Sequence, residues 1–138
     1  MNNNNIFKKA FEIEEKIKKL DDILKELNYK VYSASTSYNG IKVKNDRKID
    51  KLEENIIKIN EIENKILKNS KSLAKIEEKI NNIAKNIECK TQKSIIIWRY
   101  ICRYKWKDIS KKAGISEIHA IREHNNVLKN LDNNSSQF

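Results

Sequence analysis

Four side chains that can exchange hydrogen bonds with nucleobases lie in the segment 116–122: Ser116, Glu117, His119 and Arg122. An arginine guanidinium can donate two parallel hydrogen bonds to guanine, and hydroxyl, carboxylate and imidazole groups can also contact base edges. Six cations that could neutralise phosphates lie before and after this segment: Arg103, Lys105, Lys107, Lys111, Lys112 and Lys129. These residue types are suited to duplex DNA, and binding through so many cations would depend strongly on salt.

A helix-turn-helix pattern would position these side chains. The sequence predicts a helix over Trp106–Ala113, with Ile109 on its apolar face. Gly114 can end that helix in the left-handed conformation, Ile115 would fill the corner, and Ser116 can cap a last helix over residues 116–131. The N-terminal part of that last helix could then lie in the major groove, with its polar side chains facing the bases.

An earlier helix containing residues 94–103, with Thr91 as its cap, would complete a three-helix domain over residues 90–132, followed by a polar tail over 133–138. Trp98 and Trp106 could stack on bases, but their helical spacing from other apolar residues favours core packing. His119 and His124 are predicted at the surface or facing DNA. For Arg122, base contact, phosphate contact and a surface ion pair all remain open.

Residues 1–89 are predicted to form a long antiparallel helical hairpin of the coiled-coil type. The chain has no proline and only two glycines, which permits long uninterrupted helices. Helix 1, about 4–31, carries apolar residues spaced alternately three and four apart: Ile6, Ala10, Ile13, Ile17, Leu20, Leu24, Leu27 and Val31. A loop is predicted over 32–45. Helix 2, about 46–89, repeats an apolar residue every seven positions: Leu52, Ile59, Ile66, Leu73, Ile80 and Ile87.

The two helices differ in predicted length, which leads to a prediction about oligomerisation. At about 1.5 Å per residue, helix 1 would span roughly 39 Å and helix 2 roughly 65 Å. One seam of helix 2 would then have no partner from helix 1: Leu73, Ile76, Ile80, Ile83 and Ile87. We expect it to pack against a second copy of the chain, giving a homodimer, with docking onto the C-terminal domain as the alternative.

The composition supports a nucleic-acid partner and argues against an enzyme, a metal protein and a membrane protein. Residues 90–132 hold ten Lys or Arg against four Asp or Glu, whereas the whole chain holds 29 against 19, so positive charge is denser in the C-terminal domain. Two cysteines and two histidines do not provide a four-ligand zinc spacing. No glycine-rich phosphate loop or catalytic constellation occurs, and the longest apolar run has four residues. We therefore expect no enzyme, no metal or other cofactor and no membrane partner.

The run from Ser94 to Leu131 resembles region 4 of bacterial sigma factors. The resemblance lies in Trp98-Arg99-Tyr100, Trp106-Lys107-Asp108-Ile109, Gly114-Ile115-Ser116 and Val127-Leu128-Lys129-Asn130-Leu131. The whole layout is similar to a family of small phage and prophage proteins with a helical hairpin, a Ser-rich loop, a long helix and a region-4-like helix-turn-helix. Arg122-Glu123-His124 matches an Arg-x-His element of that family's third helix.

This resemblance implies an all-α, phage-type transcription regulator of the late-activator kind in the cytoplasm of a bacterial host cell, binding double-stranded DNA and contacting RNA polymerase. The chain departs from the family at Glu123, where an apolar residue is usual, and by adding Ile118 and Ile121, which is consistent with a rotated third helix. Two alternatives stay open. A small-terminase-like DNA-packaging subunit would form a ring of many chains, whereas a protein–protein adaptor would show no DNA binding.

Overall fold

The computed structural model describes the backbone of residues 4–38 and 46–135, and the side chains of residues 6–34 and 49–132. The protein is all-helical, as predicted, and the described residues contain no strand. The elements are α1 (Asn4–Tyr38), α2 (Asp46–Lys85), α3 (Lys90–Ile96), a π-helical turn (Ile97–Ile101), α4 (Trp106–Ala113) and α5 (Glu117–Ser135).

Helices α1 and α2 pack against each other as a hairpin, and the predicted apolar seams explain why. No described residue of either seam is exposed: Ala10, Leu27, Leu73 and Ile80 are buried, and the remaining seam residues are half-buried. Burial of one large aliphatic side chain contributes about 1.5–3 kcal/mol to folding, so two continuous seams favour pairing of the helices. The heptad prediction for both helices is confirmed.

The predicted limits of the two long helices need correction. Helix α1 continues to Tyr38, so the loop predicted from residue 32 is wrong as far as residue 38, and residues 39–45 lie outside the described part. None of residues 32–38 is Gly or Pro, and nothing in that stretch forces a helix to end. Helix α2 ends at Lys85 rather than at residue 89, in a turn where the Asn86 amide donates to the Ile83 carbonyl at 3.1 Å.

The chain divides into two compact units. One unit is Ile13–Ser72, and the other joins Met1–Glu12 to Leu73–Phe138. The part of α2 from Leu73 onward belongs to the same unit as the C-terminal helices.

The seam predicted to need a partner chain is therefore covered within one chain. Leu73 is 5% exposed and Ile80 0% exposed in the single chain, while Ile76, Ile83 and Ile87 are half-buried. Burial within the single chain favours the alternative given above, docking onto the C-terminal domain, because the seam and the C-terminal helices belong to one compact unit. The homodimer itself stays a prediction, but it needs another surface.

The C-terminal helices pack around a small apolar core. Ile95 of α3, Ile109 of α4 and Ala120 of α5 are all 0% exposed and pack together. Trp98, Tyr104, Trp106 and Ile115 are partly buried against them. The prediction that both tryptophans serve core packing is confirmed, and the core fixes α5 relative to α4.

Candidate nucleic-acid interface

The turn between α4 and α5 has the geometry that its sequence predicts. Gly114 adopts φ 70° and its amide donates to the Ser110 carbonyl. The Ile115 amide donates to the same carbonyl at 3.1 Å, so two amides at the left-handed turn satisfy one of the last carbonyls of α4. An L-residue with a side chain is strained at this φ, so glycine allows the sharp change of direction that starts α5. The predicted end of the first helix at Gly114 is confirmed.

Ser116 caps α5, also as predicted. Its Oγ accepts a hydrogen bond from the His119 amide at 3.1 Å, and its carbonyl accepts one from the Ala120 amide at 2.9 Å. Such a cap contributes about 1 kcal/mol to helix stability. The hydroxyl oxygen that was also predicted to read a base is thus occupied by the helix end. For Ser116 the structure supports a positioning role in the fold.

The other three predicted base-reading residues are exposed in the first two turns of α5. Glu117, His119 and Arg122 are all exposed, whereas Ala120 is 0% exposed. No ion pair or hydrogen bond between described residues engages the Arg122 guanidinium. At 3.6 residues per turn, His119 and Arg122 lie on one side of α5, whereas Glu117 points about 160° away from His119, so the structure brings only two of the three together.

Glu123, which departs from the pattern of the resembled family, is anchored inside the domain. Its Oε2 accepts a hydrogen bond from Gln92 Nε2 at 2.9 Å, which links α5 to α3. Its other oxygen lies 3.6 Å from His119 Nε2, one helical turn earlier. Glu123 therefore makes a polar contact between α5 and α3, and its described partners are Gln92 and His119 rather than Arg122.

The cations predicted to contact phosphates fall into two groups. Five of them are exposed lysines around the helix pair: Lys105, Lys107, Lys111, Lys112 and Lys129. The Lys112 ammonium lies 5.1 Å from the centre of the Tyr104 ring, a cation–π contact that leaves its charge at the surface.

Arg103, the sixth predicted phosphate contact, has a role within the fold. Its guanidinium forms an ion pair with Glu77 of α2. Its backbone adopts φ 59°, the one non-glycine residue with positive φ in the described chain. This left-handed residue follows the π-helical turn and helps to reverse the chain before α4. The ion pair competes with the predicted phosphate contact, which leaves the five exposed lysines as the candidates for such contacts.

Sequence reasoning missed the role of Arg99. Its guanidinium lies 4.8 Å from the Phe11 ring centre and 4.7 Å from that of Trp106, and it donates to the Tyr104 carbonyl at 3.1 Å. The contact joins the first turns of α1 to the helix-turn-helix. Nothing local in the sequence indicates it, because Phe11 and Arg99 are 88 positions apart.

The surface position predicted for His124 is wrong. His124 is 8% exposed, and its Nε2 accepts a hydrogen bond of 2.6 Å from the Tyr100 hydroxyl. Its Nδ1 lies 3.1 Å from Asn125 Oδ1, which suits an imidazole protonated at Nδ1 alone. A signal was present, since Ala120, His124 and Val127 are spaced four and three apart on one helix face.

Burial sets the protonation state of this pair. Loss of water around the imidazole lowers the pKa of His124; the hydrogen bond to Asn125 opposes this, and the positive charge of Arg99 adds to the lowering. Burial also raises the pKa of Tyr100, so that its hydroxyl remains the donor. Neutral His124 therefore fits the site, and it is a structural residue beneath the outer face of α5.

Comparison with models of known protein families, with curated proteins and with solved structures finds no match to this chain. Within the described residues, no group of three or more His, Cys, Asp or Glu side chains could hold a metal ion. No helix in the described ranges is long and apolar enough to cross a membrane. The function of the chain must be inferred from its own residues.

Proposed function

We propose that this chain is a phage-type transcription regulator that binds duplex DNA through α4, the turn at Gly114 and α5. The observation that carries the proposal is the polarity of α5. Its first turns expose Glu117, His119 and Arg122, and its other side is anchored in the core by Ala120. A rigidly held helix with an outward polar face is what insertion into the major groove requires.

Electrostatics support the same partner. The exposed lysines of α4 and the preceding connection, Lys105, Lys107, Lys111 and Lys112, lie close in sequence to the turn that starts α5. Cations at this position could contact phosphates on either side of the groove while α5 meets the bases. Regulation of transcription, and contact with RNA polymerase, are the part of the proposal that rests on the resemblance to sigma region 4.

Substitution of one base-reading and one phosphate-binding residue tests DNA recognition. Sites would first be selected from random duplexes with the wild-type protein, and affinity then measured by fluorescence anisotropy over a range of salt. Arg122→Ala should weaken the selected site about tenfold and random DNA much less, because a bidentate contact to guanine is lost. Lys111→Ala should weaken both and reduce the salt slope by about one.

Lys58→Ala is the matched control, since Lys58 is an exposed lysine in the other compact unit. We expect it to leave affinity and salt slope unchanged. Equal losses for Arg122→Ala on selected and random DNA would remove Arg122 from base reading. Absence of any salt-sensitive binding would contradict the proposed function and favour an adaptor.

The proposal also includes a homodimer, and the hairpin unit offers a candidate surface for it. Within Ile13–Ser72, several large apolar side chains are more than a third exposed: Ile23, Ile49, Ile56, Ile57 and Leu67. Ile49 and Ile56 are seven residues apart on α2, the spacing by which helices pair in coiled coils. We expect these residues, rather than the seam from Leu73 onward, to mediate a homodimer.

Sedimentation equilibrium in dilute solution measures the mass directly. We expect a dimer for the wild type. We expect a monomer for Ile49→Lys combined with Ile56→Lys, because lysine charges at these two positions oppose association. Lys51→Ala combined with Lys58→Ala, also seven apart and exposed, should remain dimeric. A wild-type monomer would disprove the dimer, and a ring of many chains would favour a DNA-packaging subunit.

A further inference from the structure

Ile118 is a large apolar residue with no place in the core. It is 71% exposed at the second position of α5. Among the described side chains, it is the one exposed large hydrophobic residue in the unit that contains the helix-turn-helix; the others lie within Ile13–Ser72. Single exposed apolar residues are common on proteins. Ile118 differs from such residues because it lies beside the candidate base-reading residues, where it would meet the same partner.

Ile118 and Arg122 point from the same side of α5. Residues four apart on an α-helix are neighbours on its surface, and both of these are exposed. Ala120, between them in sequence, is 0% exposed and faces Ile109 and Ile95 instead. Any partner surface that meets the Arg122 guanidinium therefore also meets the Ile118 side chain.

The major groove offers one kind of apolar group to such a side chain. Its base edges present hydrogen-bond donors and acceptors, together with the C5-methyl group of thymine. We propose that Ile118 contacts a thymine methyl and makes the protein prefer thymine to cytosine at that position. This inference rests on the proposed DNA binding and names a specificity-determining residue for it.

The spacing of the two residues also limits where the thymine lies. Four residues of α-helix advance about 6 Å, and successive base pairs are about 3.4 Å apart. With α5 lying along the groove, the thymine should lie within about two base pairs of the guanine that Arg122 contacts. The selected sites should show this pair of bases at a fixed distance.

Replacing thymidine by deoxyuridine in the DNA measures the contribution of the thymine methyl group alone. Deoxyuridine has the same base-pairing and major-groove hydrogen-bond groups as thymidine and lacks only the C5-methyl. Each thymine of a selected duplex would be replaced in turn, and the affinity of the wild-type protein measured at constant salt. One position should lose about fourfold, the effect of one buried methyl group.

Two variants connect that loss to Ile118. Ile118→Ala should bind the thymine duplex more weakly and show no further loss with deoxyuridine at the sensitive position. Ile118→Val retains a branched side chain and should keep most of the discrimination. Far-ultraviolet circular dichroism would confirm that both variants are folded, as expected for substitutions at an exposed position.

The outcomes separate this inference from the function on which it rests. Wild-type binding that is unaffected by deoxyuridine at every position would overturn the inference while leaving DNA recognition intact. An equal deoxyuridine effect in wild type and Ile118→Ala would assign the methyl contact to another residue and would also overturn it. Absence of binding to any duplex would overturn both proposals.

Discussion

Ile109→Ala is expected to lower the free energy of unfolding of the helix-turn-helix by about 3 kcal/mol. Ile109 is 0% exposed and lies between Ile95 and Ala120, so its side chain connects all three helices of the domain. Truncation removes buried carbon atoms and leaves a cavity that the surrounding helices can close only in part. The alanine at position 120 is too small to fill that space.

The same substitution at an exposed position provides a matched control. Ile118→Ala also replaces isoleucine by alanine in this domain, but its side chain is 71% exposed, and we expect a change below about 0.5 kcal/mol. Urea unfolding followed by tryptophan fluorescence reports on this domain, because the chain's two tryptophans, Trp98 and Trp106, both pack against its core. Equal destabilisation by the two substitutions would show that Ile109 is not central to the core.

The turn at Gly114 could be predicted from the sequence because its determinants are local. A glycine that tolerates positive φ and a serine two residues later specify the end of one helix and the cap of the next. The apolar spacing likewise predicted both hairpin seams. In each case the residues that decide the structure lie within one or two helical turns of each other, so no knowledge of distant contacts was needed.

The errors arose where distant contacts or helix length decide the structure. The end of α1 near Tyr38 could not be seen in a Ser-rich stretch of neutral propensity. The ion pair between Arg103 and Glu77 joins positions 26 apart, so the sequence showed only an available cation. Arg99, held between Phe11 and Trp106, was missed for the same reason.

His124 shows how one buried polar residue changes the assignment of a whole helix face. A histidine beside Arg122 looks like a second reader of bases, yet it lies 2.6 Å from the Tyr100 hydroxyl and stacks on that ring. Trp106 meets the same imidazole edge to face at 5.2 Å between ring centres. Because this side of α5 is fixed against aromatic groups, the opposite side, with Arg122 and Ile118, is the one presented outward.

Acid is therefore expected to destabilise the C-terminal unit through His124. In the folded chain burial lowers its pKa below the ordinary value of 6.5, which the unfolded chain retains. As the pH falls below about 6.5, the unfolded state takes up a proton that the folded state resists, so the free energy of unfolding decreases. One such proton can account for at most about 2 kcal/mol between pH 6.5 and 5.

Urea unfolding at several pH values between 5 and 7.5, again followed by tryptophan fluorescence, measures that slope. His124→Gln should flatten it over this window, even though the substitution lowers stability at every pH by disturbing the contact with Tyr100. If the full slope persisted in His124→Gln, the buried imidazole would not be the group whose protonation opposes folding, and the acid sensitivity would have to come from another group in the chain.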